Sequence, residues 1–103
     1  MENTETLLKV LQHAPEQATQ RSLAKKLGCS LGKTNYIVKA VMAKGLIKAE
    51  RFASSDKKWH YRYVLTPEGI AERIKITEHF VQRKKQEYEQ LCKELQTLKN
   101  DKH

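Results

Sequence analysis

Acidic residues are missing from one third of this chain: between Gln17 and Ala49 there is no Asp or Glu, while Arg21, Lys25, Lys26, Lys33, Lys39, Lys44 and Lys48 all fall there. Cysteine is scarce as well. Cys29 and Cys92 lie far apart and without metal-ligand spacing, so neither a disulfide framework nor a zinc site is implied. No apolar run approaches the roughly 20 residues of a membrane span. The opening Met1-Glu2-Asn3-Thr4-Glu5 lacks the basic-then-apolar layout of a leader, so a cytoplasmic protein is expected. There is no glycine-rich phosphate loop, and His13, His60, His79 and His103 show no metal-pair spacing. No Ser/His/Asp set can be nominated either. No catalytic residue, metal or cofactor is therefore expected, and the chain does not read as an enzyme.

With 103 residues, 39% of them hydrophobic, there is room for one small domain and one extension. A core of fewer than about 70 to 80 residues is marginal alone, and dimerisation would reinforce it. Charge divides the same way. Residues 1–66 hold 12 Lys/Arg against 5 Asp/Glu, and residues 67–103 hold 8 against 7. The first stretch reads as a basic domain and the second as an extension. A polyanion is the simplest partner for the acid-free stretch. An anionic membrane surface would accept the charge too, but the broad Trp/Phe/Leu face of a membrane-surface helix is missing.

Within the basic domain, Glu5 to His13 carries Leu7, Leu8, Val10 and Leu11 and is ended by Pro15, which gives a first helix covering the next two. Thr19 caps the second, Leu23, Ala24 and Leu27 form its apolar stripe, and Gly28 stops it. Ser30 caps the third. Leu31, Thr34, Val38, Val41 and Met42 fall on one face of it, and Gly45 ends it. Its opposite face is Gly32, Lys33, Tyr36, Lys39 and Ala43, with Asn35 at the flank. Cations, an amide and a ring around small residues let a helix approach phosphates and base edges, although each lysine alone could be a solvated surface residue. Cys29 sits in the turn between the two helices, where redox sensing is one reading and a small turn residue the plainer one.

Leu46 to Phe52 then runs into the polar stretch Ala53-Ser54-Ser55-Asp56-Lys57-Lys58, and Trp59, Tyr61, Tyr63 and Leu65 alternate with His60, Arg62 and Val64. Period two on either side of a polar tip predicts a β-hairpin. Three helices followed by a hairpin with a basic tip describe a winged helix-turn-helix. Lys57, Lys58 and Arg62 would reach an adjacent groove or phosphate strand, or merely keep an edge strand soluble. Trp59 could stack on a sugar or base, or pack on its own strand.

The order of helix, S-L-G-K-T-N-Y recognition helix, K-G-L-I-K strand, D-K-K wing and L-T-P-E-G helix start resembles MarR-type winged-helix regulators. More narrowly, it is similar to the short subgroup associated with exopolysaccharide gene clusters. The resemblance covers most of the chain and implies duplex DNA bound by a homodimer, with the recognition helix, 31–44, in the major groove and the wing, 53–60, near the minor groove. It places Ser30, Lys33, Asn35, Tyr36 and Lys39 in the major groove and Lys57 with Lys58 in the wing; Arg21 and Arg62 complete the candidate DNA-binding set. Lys58 stands where larger members usually carry an arginine. The extra helices that frame an effector pocket in larger members are missing, so a small-molecule effector is not expected.

The extension, 67–103, is the second strong signal. Thr66-Pro67-Glu68 opens a helix with a cap, a proline at its first position and an acid near the positive end of its dipole. Ile70, Ile74, Thr77, Val81, Lys84, Tyr88, Leu91, Leu95 and Leu98 then alternate at spacings of 4 and 3, a heptad seam for a second helix. In a parallel pair the flanks set Arg73 against Glu78 and Glu94 against Lys99, both attractive. Thr77 and Lys84 interrupt the seam, which leaves an antiparallel pair, or a helix folded back on its own domain, open. A mainly α fold is expected, with a small hairpin and a long, coiled-coil-like dimerisation helix. The function expected is sequence-specific DNA binding in transcriptional regulation; a protein-interaction module or a non-specific architectural DNA binder is the alternative.

Overall fold

In the computed structural model, which describes residues 4–17, 19–53 and 55–101, the elements run α1 (Thr4–His13), α2 (Gln20–Leu27), α3 (Leu31–Ala43), β1 (Ile47–Ala53), β2 (Trp59–Leu65) and α4 (Pro67–Asn100). Met1 to Asn3, Ser54 of the hairpin tip and His103 lie outside the described residues.

The ends of these elements are set by local chemistry. Thr19 and Ser22 form a reciprocal capping box, the Thr19 hydroxyl accepting from the Ser22 N–H at 3.0 Å and the Ser22 hydroxyl accepting from the Thr19 N–H at 3.2 Å. Gly28 closes α2 at φ 70°, a left-handed conformation that glycine adopts without a Cβ clash. The Ser30 hydroxyl accepts the Lys33 N–H at 3.1 Å and starts α3. Gly45, at φ 75°, turns the chain out of α3 into β1.

One apolar cluster holds the domain. Val10, Leu11, Ala14, Leu23, Leu27, Ile37, Val38, Val41, Leu46, Ile47 and Ile76 are buried together, drawn from α1, α2, α3, the start of β1 and α4. The stripe expected on α3 is corrected at its edges: Ile37 is fully buried, whereas Leu31 and Met42 are exposed. Residues 34, 37, 38 and 41 repeat at 3.6-residue period about one line, and positions 31 and 42 lie off that line on the rim.

The hairpin pairs antiparallel in the register Ile47↔Leu65 through Ala53↔Trp59. Only its base reaches the core. The clean alternation expected in β2 is lost because the outer half of a two-stranded ribbon has nothing on either face: residues 59–62 are exposed and 63–65 half-buried.

Thr66 joins the hairpin to α4 with three hydrogen bonds. Its hydroxyl donates to the Gly45 carbonyl at 2.6 Å and accepts from the Gly69 N–H at 3.0 Å, while its own N–H donates to the Leu46 carbonyl at 3.0 Å. Gly69 is buried against this turn. A Cβ there would stand 1.9 Å from the Leu46 carbonyl oxygen. The first turns of α4 therefore belong to the domain core, with Ile76 at 4% exposure and Phe80 packed beside it, and α1 lies against α4 as well as α2. Beyond Phe80 every described residue is exposed, and α4 carries the molecule to 72 Å in its longest dimension.

Candidate nucleic-acid interface

Two caps and one buried face decide which way α3 looks. Because Thr34, Ile37, Val38 and Val41 are held in the core, Gly32, Lys33, Asn35, Tyr36, Lys39 and Ala43 are all turned outward; the Tyr36 ring is 63% exposed. Among the described residues Thr34 is the one polar residue in the core, and its hydroxyl donates to the Ser30 carbonyl at 2.9 Å, so it costs the core no unpaired group. The Ser30 Oγ accepts the cap hydrogen bond, and its hydroxyl proton stays available to donate outside the helix.

The preceding helix adds exposed cations. Arg21 lies at the start of α2, Lys25 and Lys26 lie in its last turn, and all three are exposed. Among the described residues no ion pair engages Arg21, Lys25, Lys26, Lys33 or Lys39. Their field is uncompensated locally, which favours an anion over any neutral partner. Cys29 is half-buried against the core in the turn between α2 and α3, its sulfur 3.6 Å from the Leu27 carbonyl.

The wing presents a different picture. Lys57 takes a left-handed φ of 65° at the tip, and the Asp56 carboxylate accepts the Lys58 N–H at 3.1 Å, so the turn offers both lysines outward. Arg62 is engaged across the strands. Its Nη2 is 2.8 Å and its Nε 3.0 Å from the same oxygen of Glu50, and its guanidinium stands over the Phe52 ring. Trp59 packs on its own hairpin, with the Arg51 guanidinium 4.2 Å from the ring centroid. Arg51 was not singled out in the sequence; its pairing level, two residues from that of Trp59, becomes visible only once the register is known. A side-chain hydrogen bond from Gln20 to the Tyr63 hydroxyl ties α2 to the hairpin, so wing and recognition helix are held by one frame.

The seam residues of α4 form a separate surface. Ile70, Ile74, Val81, Tyr88, Leu91, Leu95 and Leu98 are between 50% and 68% exposed. Gly69, Ile76 and Phe80 point to the core from other faces of the same helix. No described helix is long and apolar enough to cross a membrane, and among the described residues no cluster of three or more His, Cys, Asp or Glu could hold a metal.

Residues 2–48 match the family model described as winged helix-turn-helix DNA-binding. No curated protein sequence matches the chain. Among solved structures, MepR of Staphylococcus aureus, described as a transcription regulator of a multidrug efflux pump, is similar with a TM-score of 0.60 at 19% identity over 97% of this chain and 77% of that one. A MepR–DNA complex gives 0.59 at 21% identity over 92% of this chain and 75% of that one. A double mutant of ZitR from Lactococcus lactis, in its apo form, gives 0.64 at 22% identity over 97% and 83%. The fold of this chain is that of a winged helix-turn-helix protein continued into a long C-terminal helix, as in MepR and ZitR.

Proposed function

We propose that the protein is a MarR-type transcriptional regulator that binds specific sites in double-stranded DNA as a homodimer. The observation that carries this is the outward face of α3: two lysines, an amide and an aromatic ring on a helix whose other face is buried in the core, its lysines paired with no described carboxylate, and preceded by an α2 whose Arg21, Lys25 and Lys26 are exposed. Lys33, Asn35, Tyr36 and Lys39 read base edges in the major groove. Ser30 and Arg21 hold phosphates at its rim. Lys57 and Lys58 contact the neighbouring backbone or minor groove, and Arg62, paired with Glu50, stiffens the wing that carries them. That a MepR structure of the same fold is a DNA complex supports the assignment.

The exposed seam of α4 joins two copies, so that two recognition helices meet two half-sites. The protein works without catalysis, cofactor or small-molecule effector, in the compartment that holds the DNA, the cytoplasm. Selection of bound sequences from random duplex DNA at physiological salt tests the proposal. An enriched inverted repeat is expected. Retention without enrichment would mean architectural binding, and no retention would mean that the basic face meets a protein.

A further inference from the structure

We infer that the two copies pair their α4 helices antiparallel, in the register that sets Ile70 against the partner's Leu95, Ile74 against the partner's Leu91, Thr77 against the partner's Tyr88 and Val81 against the partner's Lys84. The inference rests on the homodimer proposed above and names its geometry.

Three observations converge on it. The first is shape. In a parallel, in-register pair every seam residue meets its own copy, so Tyr88 faces Tyr88 and Thr77 faces Thr77, large on large and small on small. The antiparallel register lays each tyrosine over a threonine, which keeps layer volumes even. The second is charge within the seam. Lys84 is 76% exposed, with Glu87 3.5 Å away on its own helix. Parallel pairing would drive two Lys84 ammonium groups into one layer. Antiparallel pairing gives each lysine stem an apolar neighbour in Val81 and lets its head reach solvent.

The third is a groove of about 320 Å³ at the domain end of α4, lined by Leu65, Ile70, Arg73, Ile74, Thr77 and Glu78. Its floor is apolar, with Ile70 50% and Ile74 55% exposed, and its two edges carry opposite charges. The far end of α4 matches it. Leu91, Leu95 and Leu98 are 53% to 63% exposed and form the most apolar part of the seam. In an antiparallel pair like flanks meet, so Glu94 of the partner subunit arrives beside Arg73, and Lys85 of the partner subunit beside Glu78. Leu98 of the partner subunit comes level with Pro67, next to Leu65.

The register is set by exclusion of its neighbours. A slide of one heptad one way brings Glu87 against its own copy and Lys85 against its own copy. A slide the other way brings Glu78 against its own copy and carries Leu95 and Leu98 past the start of the partner's α4. Flank charges alone do not choose between parallel and antiparallel pairing, since Arg73 with Glu78 and Glu94 with Lys99 attract in the parallel form too; the layers inside the seam make that choice.

The exposed Cys92 provides the test. In the antiparallel register it flanks Ala71 of the partner subunit, and in the parallel one it flanks Glu87 of the partner subunit. In a Cys29→Ser background, Ala71→Cys and Glu87→Cys chains are treated with a bismaleimide of two-carbon spacer and run on denaturing gels, with the Cys29→Ser parent as background. A covalent dimer from the Ala71→Cys chain alone is expected. In the wrong orientation position 71 lies about 31 Å along the axis from the partner subunit's Cys92, and position 87 about 21 Å, at 1.5 Å per residue, beyond the reagent's reach; Cys92→Ser versions of both chains measure the yield from like-position pairs, which is subtracted. Cross-linking of the Glu87→Cys chain, or of neither, overturns the orientation while leaving a dimer. Sedimentation of the untreated proteins separates that result from failure of the dimer itself, which would show as a monomer.

Discussion

Helices α3 and α4 each press one face into the same core and leave another uncovered, and the uncovered faces differ in kind. On α3 the free face carries Lys33, Asn35, Tyr36 and Lys39; on α4 it carries Ile70, Ile74, Val81, Leu91 and Leu95. A free face rich in cations and hydrogen-bonding groups loses little in water and gains most from a polyanion, whereas a free apolar stripe is stabilised only when another apolar surface covers it. The contrast teaches that the two surfaces serve different partners. Salt should weaken the first contact strongly and leave the second nearly untouched.

The largest effects are expected where both helices share the core. Ile37→Ala opens the core beneath α3 and should cost about 2 to 5 kcal/mol of stability, measured by urea unfolding; a loss under about 1 kcal/mol would mean that α3 is not anchored there. Gly69→Ala should cost about 1 to 3 kcal/mol through its clash with the Leu46 carbonyl, opposite in sign to the gain of about 1 kcal/mol that alanine normally brings to a helix interior. Thermal unfolding decides the sign, and a stabilised variant would show that α4 can leave the turn freely.

A sharper cut separates the two free faces. Leu95→Glu should convert dimer to monomer in sedimentation while the circular dichroism of the domain survives, because Leu95 touches nothing in its own chain's core. On the other face, Lys33→Ala or Tyr36→Ala should lower discrimination between sites by about 1 to 3 kcal/mol. Lys57→Ala should instead weaken all sites alike and flatten the slope of log affinity against log salt by about 0.9. Binding titrations on matched and mismatched duplexes tell these apart; unchanged site preference in both α3 variants would move the reading surface elsewhere. The smallest effect is expected from Arg62→Ala. Its pair with Glu50 is solvated, with side chains 55% and 41% exposed, and is worth about 0.2 to 1 kcal/mol in thermal unfolding.

Much of this was legible before any coordinates. Thr19, Gly28, Ser30, Gly45 and Thr66-Pro67 announced where helices begin and end, and each acts over three or four residues of chain, within reach of a reading by spacing alone. The heptad seam was legible for the same reason. What escaped depended on distant partners. Leu31 and Met42 are apolar and share a broad stripe with Thr34, Val38 and Val41, but the line on which the core closes runs through Ile37 and leaves the first two on the rim. The wing showed its charges but not their engagements: Arg62 is matched with Glu50, and Arg51 with Trp59, by a hairpin register that the polar tip does not encode.

The features readable from the chain alone are local and periodic: six elements, their caps, an acid-free helix pair and an apolar seam down the last helix, all consequences of hydrogen bonds and repeats within a few residues. The tertiary structure alone decided that Ile37 anchors α3 and that Gly69 must lack a Cβ for α4 to leave the Thr66 turn. It alone decided, too, that Ile76 and Phe80 face inward while the seam stays bare. Those outcomes follow from steric exclusion and burial between segments remote in the chain, which no local pattern records.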